Sequence, residues 1–249
     1  MTHRTMLYDT IGKGYARQRI PDPRIAMRIH HALGRADSVV NVGAGTGSYE
    51  PVDRPVIAIE PSMTMIRQRA VGAAPAIQAV AESLPLRDRC TSAATAILTI
   101  HHWSDVDRGL QELGRVARDS VVILTWDPAG PEFWLTDEYF PGIAERDRQI
   151  FPGIADISRV LGPVSTYAVP VPHDCVDGFL GAHWRRPEAY LDPAIRSGSS
   201  GFSNLPGLDQ GLARLRSDLA SGEWNRRFGH LRGKDSLDLG YRLVVAGVR

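Results

Sequence analysis

Val39-Val40-Asn41-Val42-Gly43-Ala44-Gly45-Thr46-Gly47 is the stretch that decides the fold. A β-branched run meets glycines at alternate positions. Such side chains suit a pleated strand. Glycine permits positive φ and lets a ligand approach the backbone itself. The bend is either an ordinary turn or the floor of a ligand site, and alone it is a weak signal. The next strand narrows the choice. Residues 56–59 form a second β-branched run that closes on Glu60. The interval from the glycines is near the 20 or so residues at which a strand-end carboxylate reaches ribose hydroxyls. A carboxylate holding a diol is a charge-assisted contact. A dinucleotide site needs a further glycine at position 48, where this chain has Ser48. No GxxxxGK[ST] string occurs. A nucleoside without phosphates fits better.

Outward from this motif the pattern alternates. Residues 23–33 read as a helix, with Ile25, Ile29 and Leu33 on one face. Residues 38–42 and 56–59 read as strands. Residues 62–70 read as a helix with Ser62 as N-cap, and 76–80 as a weak strand. Residues 93–100 are an apolar run of strand length. Residues 105–118 are an amphipathic helix and 120–126 a β-branched strand. Alternation of this kind gives a mostly parallel sheet covered by helices on both faces. Residues 128–152 then break into aromatic, Pro-rich sequence. A helix over 154–161 and a strand over 164–171 follow. Residues 172–236 lack strand periodicity, and 241–248 return as a strand. The expected organisation is a Rossmann-like domain over 1–171, an inserted substrate cap over 172–236, and a final core strand within 237–249.

The chain has 249 residues, enough for one elaborated α/β domain. Its formal net charge of +1 gives no field to gather nucleic acid or anionic lipid. Neither kind of partner is expected. Cys90 and Cys175 lack metal-type spacing, which argues for a reducing compartment and against zinc. The N-terminus leads into no apolar signal region, and no apolar run has the length of a membrane span. A cytoplasmic protein without metal is expected. Its oligomeric state is open.

The chain resembles the class I S-adenosylmethionine-dependent methyltransferases, in particular the small-molecule enzymes similar to ubiquinone and menaquinone methyltransferases. Residues 39–47 look like the first motif of that family, and residues 56–62 followed by Met65 like its second. Ala81-Glu82-Ser83-Leu84-Pro85-Leu86 resembles the adenine-side loop. Ile100-His101-His102-Trp103, followed by Asp105, Glu112 and Arg115-Val116, resembles the fourth-strand region and the helix after it. The resemblance implies a three-layer sandwich around a seven-stranded sheet whose last strand is antiparallel, with a mainly helical cap. It implies S-adenosylmethionine as cofactor. By position, Gly43, Ala44, Gly45 and Gly47 would line its methionine and ribose side, and Glu60 would bind ribose. Pro61 and Met65 would flank adenine, Ala81 and Glu82 would meet its edge, and Leu98 and Thr99 would pass under the sulfonium. Tyr8, Tyr15 and Arg19 resemble the arm that closes over the cofactor, where tyrosine faces suit a sulfonium and an arginine suits a carboxylate. The chain departs from the pattern at Asn41, Val80, Ser92 and Arg118-Asp119, where the family usually has acids or a glycine pair. A neutral Asn41 gives no countercharge to the cofactor's ammonium.

Methyl transfer from a sulfonium depends mainly on alignment, so a general base is optional. His102, with His101, would supply one at the end of the fourth strand. Alternatively the pair is a hydrogen-bonded pocket wall. Trp184 with Arg185 and Arg186 could build an aromatic, cationic pocket for an acidic or planar acceptor, with Trp103 and His183 as further substrate-binding candidates. The bland alternative is a core tryptophan beside solvated arginines. The main expectation is methyl transfer to O, N or C of a small molecule. Others are cyclisation of the cofactor's aminocarboxypropyl chain with release of methylthioadenosine, an NAD(P) oxidoreductase, and a module that binds cofactor without turnover.

Overall fold

A computed structural model describes residues 18–248. Strands β1 (Val39–Val42), β2 (Val56–Ile59), β3 (Ala76–Ile77), β4 (Thr91–Ile97) and β5 (Ala117–Trp126) lie parallel to one another. With β6 (Val164–Ala168) and a last strand they make a seven-stranded sheet. A separate ladder joins β7 (Val171–Pro172) to β8 (Ser236–Leu237), and β9 (Tyr241–Gly247) closes the main sheet. The sheet order is β3-β2-β1-β4-β5-β9-β6. β9 runs antiparallel to both strands that flank it, pairing Val122 with Val245 and Thr166 with Val244.

The period-2 alternation of strands sorts the core into two layers. Val39, Ala93, Val122 and Leu243 face α1 (Pro23–Leu33), which buries Ile25, Ile29 and Leu33. Val40, Ala94, Val121 and Val244 face the opposite side. There α3 (Val106–Val116) buries Leu110 and Leu113, and α5 (Ile154–Leu161) buries Ile157. The helix starts follow from side chains. Asp22 caps α1 by accepting from Arg24 N, with Pro23 in the first turn. Asp105 caps α3 by accepting from Arg108 N. The α/β sandwich expected from the alternation is the fold observed.

Several boundaries differ from expectation. Residues 62–70 yield only α2 (Met63–Ile66), because Met65 alone is buried on it and no apolar stripe extends further. The strand expected over 76–80 is the two-residue β3. β4 stops at Ile97, because Leu98 takes φ 51°, outside any strand conformation. The run 164–171 divides at Pro170, which lacks the N–H to continue a ladder. Residues 128–152, expected to be irregular, hold a π turn at Leu135–Tyr139 and the helix α4 (Pro141–Ile150). Pro141 starts that helix where its missing N–H costs nothing.

Between Pro172 and Ser236, which pair with each other, the chain is built from short helices: α6 (Pro193–Arg196), α7 (Leu208–Ser221), α8 (Glu223–Phe228) and 3₁₀ turns. Trp184, Tyr190 and Trp224 are fully buried there. They join the core layer on the α1 side, where Trp134 meets Trp224 edge-on at 5.3 Å. Among the described residues no helix is long and apolar enough to cross a membrane.

Candidate active site

Two clefts open side by side at the C-terminal ends of the parallel strands, where ligands of open α/β sheets bind. The first measures about 1030 Å³ with its open mouth included. Its floor is the bend after β1. Gly43 has φ 70°, and a Cβ there would collide with the Thr99 side chain. Only glycine admits both the conformation and the close approach of the two loops. Glu60, at the end of β2 and 6% exposed, is held by backbone donors. Gly45 N donates to its Oε2 at 2.8 Å, and Ser62 N donates to its Oε1 at 2.9 Å. These bonds fix a carboxylate beside the glycine bend. Pro61, the buried Met65, Val80 and Ala81 make an apolar slot next to it. The composite of Gly-rich floor, strand-end carboxylate and apolar slot fits a phosphate-free nucleoside such as S-adenosylmethionine.

Among the described residues expected along the cofactor, Arg19, Gly43, Ala44, Gly45, Glu60 and Pro61 line this cleft, as do Met65, Ala81, Glu82, Leu98 and Thr99. Gly47 stands behind the bend against Glu50 and Arg69 and is absent from the wall. Tyr8 and Tyr15 lie outside the described residues. Glu82 lines the cleft, but its Oε1 accepts from Ser104 N, Ser104 Oγ and Asp105 N, which turns the carboxylate toward the start of α3. Arg19 donates through Nε to Asp177 Oδ1 at 2.7 Å.

Asn41 is buried in the same wall. Its Nδ2 donates to Glu50 Oε1 at 3.1 Å, and its Oδ1 accepts from Thr95. Glu50 in turn pairs with Arg69 at 2.6 Å, and both side chains are nearly buried. The region therefore does hold a carboxylate, displaced from the strand to Glu50 and neutralised by Arg69. The sequence reading missed this exchange, although both residues were visible nearby.

The second cleft measures about 1040 Å³ with its mouth included. It shares Arg19, Leu98 and His102 with the first, so these three form the common wall. The positive φ of Leu98 turns it out of β4 into that position. His101 and His102 occupy the 3₁₀ turn after β4. His101 stacks on Phe151 with ring centroids 3.9 Å apart, and Trp126 meets Phe151 edge-on. The far side is one face of α4, whose Ala144, Asp147 and Arg148 lie in helical register with Phe151. Burial pushes the Asp147 carboxyl up to about 6, against the lowering pull of Arg146.

The structure corrects the expected acceptor pocket. Trp103 lines the first cleft, not the second, and packs on Gly109. Trp184 is fully buried, its Nε1 donating to the Val171 carbonyl. Arg185 points elsewhere and donates to the Lys234 carbonyl. Burial lowers His183 to about 4. None of these last three lines either cleft. Among the described residues no His, Cys, Asp and Glu cluster could hold a metal.

The profile of a family described as "Methyltransferase domain" matches residues 40–125. The uncharacterized methyltransferase YcgJ of Bacillus subtilis (strain 168) is 28% identical over 127 residues, 46% of this chain. The chain spans half the length of that curated relative. A crystal structure from Anabaena variabilis ATCC 29413, assigned to the methyltransferases of an antibiotic biosynthesis pathway, is 34% identical with a TM-score of 0.84. That match covers 92% of this chain and 98% of the Anabaena chain. A SAM-dependent methyltransferase of Thermotoga maritima shares the fold alone, at 13% identity and a TM-score of 0.57, over 98% of this chain and 97% of that one.

Proposed function

The chain belongs to the class I S-adenosylmethionine-dependent methyltransferases, and from that membership we propose that it methylates a small molecule bound in the second cleft. The observation that carries the proposal is the common wall of Arg19, Leu98 and His102, which puts the two clefts within reach of one transferred group. The Anabaena relative is placed in antibiotic biosynthesis, which supports a small metabolite as acceptor.

In this reading Glu60 binds the ribose hydroxyls, and the Gly43–Gly45 backbone supports the methionine side. Pro61 and Met65 hold the adenine. When bound, S-adenosylmethionine supplies a methyl group already activated by its sulfonium. The protein's part is then alignment, which can contribute effective molarities of roughly 10⁵–10⁸ M. Leu98 and the aromatic rings of the second cleft keep water away from the transfer axis. His102, on the wall that both clefts share, takes a proton from the acceptor atom as its bond to carbon forms. His101, stacked on Phe151, steadies that turn.

The test is incubation with methyl-labelled S-adenosylmethionine and a small-molecule extract. Label should appear in the small-molecule fraction, with S-adenosylhomocysteine as coproduct. Label in protein or RNA, or release of methylthioadenosine without an acceptor, would overturn the assignment.

A further inference from the structure

The second cleft is aromatic over much of its wall and carries three acidic side chains, Glu132, Asp137 and Asp147. Asp147 projects from α4, its side chain 16% exposed. Arg146 comes within 3.5 Å of it, but the same guanidinium donates to the Gly201 carbonyl at 2.9 Å. Asp137, from the π turn, has its carboxyl raised by burial and by the nearby charge of Glu132. Arg148 opposes these acids within the cleft and draws Asp137 the other way. Arg19 is engaged with the buried Asp177. Among the described residues, Glu132, Asp137 and Asp147 line the cleft against Arg148, and Arg146 compensates Asp147 only at 3.5 Å.

We infer that the acceptor is an amine that enters as an ammonium ion on a flat apolar body, its charge held by Asp147 in a cleft that Asp137 and Glu132 also line. The inference rests on the second cleft being the acceptor site. A buried carboxylate whose charge is only partly compensated is stabilised by an incoming cation. The same site would repel a carboxylate ligand. Trp126, Phe133, Phe151 and Tyr241 suit both parts of such a molecule. Their faces attract cations and stack on a planar group. The sign of the pocket is thus opposite to that expected from Arg185, which the fold turns away. His102 lines the same cleft from the turn after β4, so in this reading it takes the atom that receives the methyl while the carboxylates hold the charge.

The test uses the full chain saturated with S-adenosylhomocysteine. Three probes that share a phenylethyl body are titrated by calorimetry at neutral pH: 2-phenylethylamine, 3-phenylpropionate and 2-phenylethanol. The ammonium should bind about tenfold or more tightly than the others, the range for a hydrogen bond to a charged group. Asp147→Asn should abolish that preference while S-adenosylhomocysteine affinity stays unchanged. Arg148→Gln should strengthen ammonium binding severalfold, a gain that general damage to the fold would not produce. Equal binding of the probes, or preference for the carboxylate, overturns the amine inference and leaves the cofactor cleft standing. Failure of S-adenosylhomocysteine to bind overturns both.

Discussion

Arg19 and Asp177 lie 158 positions apart, yet the arginine Nε sits 2.7 Å from a carboxylate that has no solvent exposure. Tyr49 donates to the other oxygen of Asp177 at 2.7 Å. One buried acid thus ties the common wall of the clefts to the helical insertion and to the segment after the glycine bend. Asp177→Asn keeps the shape and removes the charge. Breaking a buried pair from one side costs up to roughly 3–5 kcal/mol. Thermal unfolding should shift down by several degrees, and S-adenosylhomocysteine affinity should fall with it.

Glu60→Gln tests the sugar contact. The amide cannot accept from Gly45 N and Ser62 N through both arms as the carboxylate does. Hydrogen bonds to a charged group contribute about 1.5–3 kcal/mol. Calorimetry should show S-adenosylhomocysteine affinity reduced by one to two orders of magnitude. Unchanged affinity would remove Glu60 from the ribose site.

Asp147 makes stability depend on pH. Its folded-state pKa of about 6 lies above the ordinary carboxylate value because burial disfavours the charged form. The folded protein therefore binds the proton more tightly than the unfolded chain. Stability from this group is greatest in acid and is lost as pH rises through about 6. Asp147→Asn should raise the melting temperature at pH 8 by up to several degrees, about 2–4 °C per kcal/mol for a chain of this size. The gain should vanish near pH 4. A variant less stable than the parent at pH 8 would contradict the burial argument.

Asn41→Asp restores the acid usual in this family, but here it would face Glu50 across the 3.1 Å now bridged by an N–H donor. Like charges that close disfavour each other's ionised form. The variant should melt below the parent at neutral pH. Adding Glu50→Gln should recover most of the loss, because Arg69 can then pair with the new carboxylate. If the double variant falls as far as the single one, the exchange between positions 41 and 50 is not what the fold relies on.

The cofactor side was legible because backbone conformation dictates residue type there. A bend with positive φ needs glycine at 43 and 45, and a strand-end acid declares itself by spacing. The second cleft was not. The aromatic, Pro-rich text of 128–152 hides α4, which Pro141 starts. Ala144, Asp147, Arg148 and Phe151 carry helical spacing, but only a known helix start gives that spacing meaning. Trp184 misled for another reason. An indole satisfied by the carbonyls of Val171 and Pro172 packs as well into a core as into a pocket. Residue type alone does not say which.

The threading of β9 between β5 and β6 has a consequence for synthesis on the ribosome. Strands β1 to β5 can align as soon as they emerge, and they carry most of the wall around the nucleoside. β6 must wait unpaired for residues 241–247, and Leu239 and Tyr241 of the second cleft arrive at the same late moment. A nascent chain paused before that point would carry the strands around the nucleoside cleft while the second cleft still lacked part of its wall.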